Sequence, residues 1–243
     1  MVNLQRETII MNVVITGASR GIGRAIAVAF AGAGYDLFLC ARNEVDLYNT
    51  VAALQTRFPL VNIKGRPADL SKREDILSFG TWLLENKMSI DILVNNAGSF
   101  AAGSIFNEQE GTLETMIETN LYSAYHLTRR LLPTMMEKKQ GHIFNICSIA
   151  SLQSYNNGGS YSISKFALAG FSKNLREEMK PFGVKVTAVF PGAVMTASWG
   201  DFDNRAQRIM EAEDIAAMIL ACSRLSASAV VEDIIMRPQL GDL

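Results

Sequence analysis

A tyrosine and a lysine four positions apart form the pair in this chain that is best suited to proton transfer. They lie in the segment Tyr161-Ser-Ile-Ser-Lys165. On a helix this spacing puts both side chains on one face, about 5–6 Å apart at their Cβ atoms. A phenol has a reference pKa near ~10, and a nearby cation favours the phenolate and lowers that pKa. The pair could therefore exchange a proton with an alcohol or carbonyl oxygen, although the pattern alone would also suit an ordinary surface helix.

The elements that must position this pair alternate between strand and helix along the chain. Strands are predicted at 12–16, 35–40, 61–66, 90–95, 142–147, 184–190 and 229–236, and helices at 21–33, 44–58, 72–87, 112–138, 160–180 and 211–222. The strands are continuous apolar runs, which is typical of parallel strands buried on both faces. Pro133 is expected to kink the long helix or to break it in two.

Composition agrees with one α/β domain and gives no sign of a nucleic-acid or membrane partner. The chain has 243 residues, of which 49% are apolar and 19% charged, and its net charge is −1. This balance gives no reason to expect nucleic acid or an anionic membrane as a partner. No apolar run approaches the ~18–20 residues that span a bilayer, and residues 1–12 lack the layout of a signal peptide. A cytoplasmic protein is therefore predicted.

The cysteines and histidines do not predict a disulfide or a metal site. Cys40, Cys147 and Cys222 are odd in number, far apart and set in apolar stretches, which favours buried, reduced thiols. His126 and His142 lie 16 positions apart with no ligand spacing around them.

A glycine-rich turn follows the first strand and opens the first helix. The segment Thr16-Gly-Ala-Ser-Arg-Gly-Ile-Gly23 spaces its glycines as Gly-x-x-x-Gly-x-Gly. Glycine lets the backbone turn tightly and approach a pyrophosphate closely, while the helix N-terminus supplies N–H groups and the positive end of a dipole. A purely structural turn is the alternative, and three glycines in this context weigh against it.

Four motifs, in this order and at these spacings, resemble the short-chain dehydrogenase/reductase family. They are the glycine turn, Asn95-Asn-Ala-Gly98, Tyr161-x-x-x-Lys165 and Pro191-Gly192, and the resemblance spans roughly residues 12–196. It implies a doubly wound Rossmann domain, with a parallel sheet of about seven strands and helices on both faces, over residues 1–243. Residues 1–11 would form an N-terminal extension and residues 196–210 a substrate-side segment. The resemblance also implies a homo-oligomer, either a dimer or a tetramer.

The same resemblance implies which residues hold a nicotinamide dinucleotide. They are Gly17, Ser19, Arg20, Gly21, Ile22 and Gly23 in the glycine turn, Asp69 and Leu70 after the third strand, Asn96, Ala97 and Gly98 after the fourth, Pro191, Gly192, Val194 and Thr196 after the sixth, and Tyr161 with Lys165. For Asp69, a role as the N-cap of the following helix is an almost equal alternative.

Arginines near the second strand favour NADP(H) over NAD(H). An NAD-binding protein typically has an acid near the end of this strand for the ribose hydroxyls, and an NADP-binding protein has an arginine near there. Here the strand ends in Cys40-Ala-Arg-Asn43, with Arg42 and no acid at Ala41. Arg20 could supply a second guanidinium to the 2′-phosphate, which is a strong charge-assisted arrangement. Solvated surface charge is the alternative for both arginines.

The resemblance implies a catalytic group of four residues. Ser148 precedes Tyr161 by 13 positions and follows the fifth strand, and Asn120 lies in the long helix. The hydroxyls of Ser148 and Tyr161 would bind the substrate carbonyl oxygen, and Tyr161 would deliver the proton. Lys165 would hold the ribose hydroxyls of the cofactor and lower the pKa of the phenol. The backbone carbonyl of Asn120 would hold a water on the proton path; without the family, an exposed helical asparagine is the better interpretation.

Neighbouring residues are expected to have plainer roles. Cys147 should face the core, while Ser151 and Ser154 are expected to be polar loop residues. The substrate surface should come from residues 99–103, 152–159 and the stretch after 196.

The predicted function is hydride transfer between NADP(H) and a carbonyl or secondary alcohol, with carbonyl reduction favoured. Two alternatives stay open: a reductase of 3-oxoacyl thioesters, and a non-catalytic NADPH-binding regulatory or scaffold protein. Relatives that reduce such thioesters often end their last strand with Asp-Gly-Gly, which residues 230–240 lack. An inactive descendant would be expected to lose the serine, tyrosine or lysine, and all three are present.

Overall fold

A seven-stranded parallel sheet forms the centre of the molecule. The computed structural model describes residues 11–85, 89–196, 199–200 and 202–241. Parts of the predicted N-terminal extension, of the third helix and of the substrate-side segment lie outside these ranges. The strands are β1 Asn12–Thr16, β2 Asp36–Ala41, β3 Ile63–Pro67, β4 Ile90–Asn95, β5 Gly141–Ile146, β6 Val184–Pro191 and β7 Asp233–Met236. Their order is β3-β2-β1-β4-β5-β6-β7, which confirms the predicted doubly wound fold and puts the reversal of strand order between β1 and β4.

Helices cover both faces of this sheet. They are α1 Gly21–Gly32, α2 Glu44–Arg57, α3 Arg73–Glu85, α4 Thr112–Ile117, α5 Ser123–Lys138, α6 Gly159–Met179 and α7 Ala212–Ser223. Alternate residues of β1 show the two layers: Val13 and Ile15 share a core cluster with residues of α1, α2 and α7, such as Phe30 and Ile215. Val14 shares a second cluster with residues of α3, α5 and α6. No helix of the described residues is long and apolar enough to cross a bilayer.

The long helix predicted at 112–138 is interrupted, but not at Pro133. A π-helical turn, Glu118–Tyr122, separates α4 from α5, and α5 continues through Pro133. The helix is therefore divided at the π turn and not at Pro133, and a kink at Pro133 stays a prediction. A π turn holds one extra residue, and here it surrounds Asn120, whose side chain is buried and hydrogen-bonded.

The last strand is shorter than the sequence predicted. It pairs with β6 only from Asp233 onward, whereas Ala229 closes a turn with Ser226. Arg176 of α6 holds the start of this strand: its Nε donates to the carbonyl of Val186 at 3.0 Å and its Nη2 to the Asp233 carboxylate at 3.0 Å. β7 is thereby fixed to the helix that carries Tyr161.

Candidate active site

Glycine conformations shape the turn between β1 and α1. Gly17 and Gly21 have φ angles of +63° and +52°, in the region that favours glycine. A Cβ at Gly23 would lie 2.3 Å from the carbonyl oxygen of Gly17 and 2.5 Å from Nδ2 of Asn96. The side chain of Arg20, at the N-cap position of α1, makes no capping hydrogen bond. The turn therefore packs against itself as only glycine permits, and it presents the start of a helix to an anion.

The end of β4 ties this turn in place. The hydroxyl of Thr16 accepts the N–H groups of Asn96 and Ala97, both at 2.9 Å. Nδ2 of Asn96 donates to the carbonyls of Thr16 and Gly17 at 2.9 and 3.1 Å. The Asn96 side chain thus joins the end of β4 to the backbone of the glycine turn.

The region of the predicted 2′-phosphate carries exposed arginines. A surface depression of about 350 Å³ is lined by Ser19, Arg20, Arg24, Asp46, Asn49 and Thr50. The Thr50 hydroxyl fixes this depression to the glycine turn by donating to the carbonyl of Ser19 at 3.2 Å. Arg42 is exposed just after β2. Sequence reasoning missed Arg24, although it lies one helical turn beyond Arg20 on α1.

Asp69 and Leu70 make mainly local contacts. The Asp69 carboxylate accepts the N–H and the hydroxyl of Ser71 at 3.2 and 2.8 Å, two residues before α3 begins. Leu70 is buried with the core residues of α3. The carboxylate closes the turn that leads into α3, which is close to the capping role given as its alternative. Contact of Asp69 and Leu70 with the dinucleotide stays a prediction.

The segment after β6 approaches the glycine turn from the other side. Gly192 N–H donates to the carbonyl of Met236 at 2.7 Å, and Val194 forms a bridge with Met210. A Cβ at Gly21 would lie 3.2 Å from Cγ2 of Thr196. The side chain of Thr196 therefore lies against the start of α1.

Ser148 and Tyr161 meet at the carboxyl end of β5. The Ser148 hydroxyl accepts the N–H of Ala150 at 3.1 Å, and the Ser148 N–H donates to the hydroxyl of Ser151 at 3.2 Å. Of the two serines expected to be polar loop residues, Ser151 is buried and Ser154 is exposed. These two bonds fix the orientation of Ser148.

Burial sets the pKa of the Tyr161 phenol. Loss of hydration raises this pKa above its ordinary value, and a hydrogen bond with Ser148 opposes the rise. The expected lowering by Lys165 is therefore not the net result in this chain, because desolvation of the phenolate outweighs the favourable contacts. The phenol keeps its proton at neutral pH.

Lys165 is buried beside the phenol. Its Nζ donates to the carbonyl of Ile146 at 2.8 Å and lies 5.9 Å from the centroid of the Tyr161 ring. Burial lowers the pKa of Lys165 to about 8. Cys147 lies in the core as expected, and burial raises the pKa of its thiol to about 11.

Asn120 joins two sides of the site through its side chain. It is 1% exposed, so the interpretation as an exposed helical residue is wrong. Its Oδ1 accepts the N–H of Ser99 at 2.8 Å, and its Nδ2 donates to the Ser99 carbonyl at 3.0 Å and to the hydroxyl of Ser164 at 2.9 Å. A Cβ at Gly98 would lie 3.0 Å from Oδ1 of Asn120, so that a larger residue there would press on the Asn120 side chain. A water on the backbone carbonyl of Asn120 stays a prediction.

Phe100 covers the phenol from the predicted substrate side. Its ring meets that of Tyr161 edge to face, with centroids 4.9 Å apart and planes at 82°. Among the described residues no group of histidine, cysteine or acidic side chains could hold a metal ion, and all three cysteines are buried without a disulfide.

Comparisons with known proteins agree on one family. The family profile described as short chain dehydrogenase matches residues 11–207. A sepiapterin reductase from Chlorobaculum tepidum is 35% identical over 237 residues, which cover 94% of this chain and 96% of the relative. An alcohol dehydrogenase from the archaeon Thermococcus sibiricus, solved with 5-hydroxy-NADP, superposes with a TM-score of 0.88 at 28% identity, covering 95% of this chain and 97% of that one. A serine dehydrogenase solved with NADP⁺ gives a TM-score of 0.86 at 30% identity and covers 96% and 97%.

Proposed function

Because this chain belongs to the short chain dehydrogenase family, and is therefore an oxidoreductase, we propose that it reduces a carbonyl compound with NADPH. The observation that carries the proposal is the meeting of Ser148, Tyr161 and Lys165 at the carboxyl end of β5. Three solved relatives are described as complexes with NADP or a derivative of it, which supports the choice of cofactor.

The glycine turn fits a dinucleotide. Its positive φ angles at Gly17 and Gly21 bring the backbone around the start of α1, where N–H groups and the helix dipole favour a pyrophosphate. Arg20 and Arg42 would hold the 2′-phosphate, and Thr196, which lies against Gly21, would hold the nicotinamide side. When bound, the cofactor supplies the hydride.

Ser148 and Tyr161 would orient and protonate the carbonyl oxygen. Two hydroxyl donors on one oxygen stabilise the negative charge that develops there. Because burial raises the pKa of Tyr161, its phenol is protonated at neutral pH and can act as a general acid. This protonation state suits carbonyl reduction better than alcohol oxidation.

Lys165 would hold the ribose hydroxyls of the cofactor and supply a proton path. Its ammonium already donates one bond to Ile146, which fixes its position while leaving two N–H groups for ligands. A lowered pKa of about 8 lets Lys165 give up a proton more readily than an exposed lysine does. Water held by the backbone of Asn120 would complete that path.

The decisive test is a substrate panel. Diketones, aldehydes, 3-oxoacyl thioesters and sugars are mixed with NADPH and the protein, and the loss of NADPH absorbance is followed. Tyr161→Phe should lower kcat by about 10²–10⁴-fold and leave the Kd for NADPH nearly unchanged. Tight NADPH binding without turnover of any compound would instead favour the scaffold alternative.

The predicted homo-oligomer is part of this proposal. Tyr122, Ile163 and Phe166 are exposed apolar residues on the π turn and on α6. Burying such side chains against a second copy would stabilise a dimer or tetramer. Two further predictions remain: that residues 1–243 form one domain, and that the protein is cytoplasmic.

A further inference from the structure

We propose that Glu108 is a positioning residue for the proton donor. It joins the segment 99–108 to the first turn of α6, and so holds Phe100 and Tyr161 in their mutual geometry. The inference deepens the proposed function and depends on it for its kinetic test.

The first contact is made by the Glu108 carboxylate at the start of α6. Its Oε1 accepts the hydroxyl of Ser160 at 2.5 Å, and its Oε2 accepts the Ser160 N–H at 3.3 Å. Ser160 is 1% exposed and directly precedes Tyr161. Gly158, at the N-cap position of α6, offers no side-chain cap, so Glu108 supplies from another segment what a capping residue supplies locally.

A second contact brings the two backbones together. Gly103 N–H donates to the carbonyl of Asn157 at 3.2 Å, and the hydroxyl of Ser104 donates to the Asn157 side-chain carbonyl at 2.6 Å. Gly159 has a φ of +35°, and a Cβ there would lie 2.4 Å from the Gly103 carbonyl oxygen and 2.8 Å from Oε2 of Glu108. The approach is therefore close enough to exclude any side chain at position 159.

The other end of the segment is held independently. Asn120 bonds both backbone groups of Ser99 and also bonds Ser164 on α6. Phe100 lies between these two attachments, with its ring against Tyr161. Without the Glu108 carboxylate, only the contacts of Gly103 and Ser104 with Asn157 would hold this end. Phe100 and the first turn of α6 could then shift, while the end held by Asn120 stays in place.

The kinetic test compares Glu108→Ala with Glu108→Gln and with Glu110→Ala, an exposed glutamate two positions along. Glu108→Ala should lower kcat by about 10- to 100-fold, because small displacements of a catalytic group have effects of that size. The Kd for NADPH should stay within about twofold. Glu108→Gln should recover most of kcat, because its amide oxygen still accepts the Ser160 hydroxyl, and Glu110→Ala should match wild type.

Two results would overturn the proposal: an unchanged kcat in Glu108→Ala, or a parallel loss of NADPH affinity, which would indicate general structural damage. If Glu108→Ala does not fold, Ser160→Ala removes the same bond from the other side and should lower kcat in the same way. Where both variants fold, the double variant should be no worse than Glu108→Ala alone, and additive losses would contradict a shared interaction.

Hydrogen exchange tests the attachment without any turnover. In Glu108→Ala, or in Ser160→Ala, peptides covering residues 99–108 and 157–165 should exchange faster than in wild type, and peptides of the glycine turn should not. Unchanged exchange in both peptides would refute the attachment. An inactive wild-type protein would instead refute the proposed function, so the two failures are distinguishable.

Discussion

Backbone groups form one part of the site, and side chains form the other. The cofactor cradle, residues 16–23 with 96–98, is made of backbone groups in close contact, where a single Cβ at Gly23 would overlap a carbonyl oxygen. The proton-transfer corner, Ser148 with Tyr161 and Lys165, is made of buried or half-buried side chains that are hydrogen-bonded. The cradle should therefore be sensitive to added volume, and the corner to lost partners and to charge.

The largest expected effect concerns Lys165. Lys165→Met should lower kcat/KM by about 100-fold or more. It should also stabilise the fold at about pH 7, by roughly 1–3 kcal/mol, because a buried ammonium whose pKa is lowered from 10.5 to about 8 opposes folding. Urea unfolding of both proteins measures the difference.

The difference in stability between the wild type and Lys165→Met should depend on pH. Between pH 8 and 10.5 unfolded Lys165 binds more protons than folded Lys165, so the stability of the wild type rises with pH in that window. The advantage of Lys165→Met should shrink accordingly towards about pH 10. A variant less stable than wild type at about pH 7, or a difference that does not change with pH, would contradict the argument.

A methyl group added at Gly23 tests whether close backbone contacts in the cradle matter for NADPH binding. Gly23→Ala should weaken NADPH binding by about 10- to 100-fold, since overpacking of this kind costs about 1–3 kcal/mol. Gly32→Ala, at the other end of α1, is the matched control, because its Cβ would meet only the Phe58 ring at an ordinary 3.5 Å. Fluorescence titration with NADPH gives both Kd values. Equal affinities for the two variants would show that the close contact at Gly23 does not matter for binding.

The proposed contact of Arg42 with the 2′-phosphate is tested by reversing its charge. Arg42→Asp should raise the KM for NADPH by about 10-fold or more, because bonds to a charged group contribute about 1.5–3 kcal/mol, and should leave the KM for NADH little changed. Arg57→Asp makes the same charge change at the far end of α2 and should leave both values as they are. An unchanged preference for NADPH in Arg42→Asp would remove the argument from the arginines.

The smallest expected effect distinguishes Ser151 from Ser154, two serines that follow Ser148 in the chain. Ser151→Ala removes the acceptor of the Ser148 N–H and should lower kcat less than about tenfold, with a loss of about 1 kcal/mol in unfolding free energy. Ser154→Ala changes an exposed serine and should do neither. Identical behaviour of the two variants would mean that the orientation of Ser148 does not depend on Ser151.

The sequence predicts those parts of the molecule that depend on local pattern. Buried parallel strands appear as apolar runs, and the glycine turn and the Tyr161–Lys165 spacing are short-range signals. The contacts of Asn120 with Ser164 and of Glu108 with Ser160 join residues 44 and 52 positions apart, and no periodicity indicates such pairs. The direction of the Tyr161 pKa was also missed, because burial depends on the whole fold rather than on the neighbouring cation.

The π turn at Glu118–Tyr122 has a consequence for redesigning this chain. A regular α-helix turns by about 100° per residue, so deleting one residue there would rotate all of α5 relative to α4. Leu127, Leu131 and Met135, which now lie against the sheet, would swing toward solvent. Shortened or recombined versions of the protein must therefore retain the length of this five-residue stretch even where its side chains are exchanged.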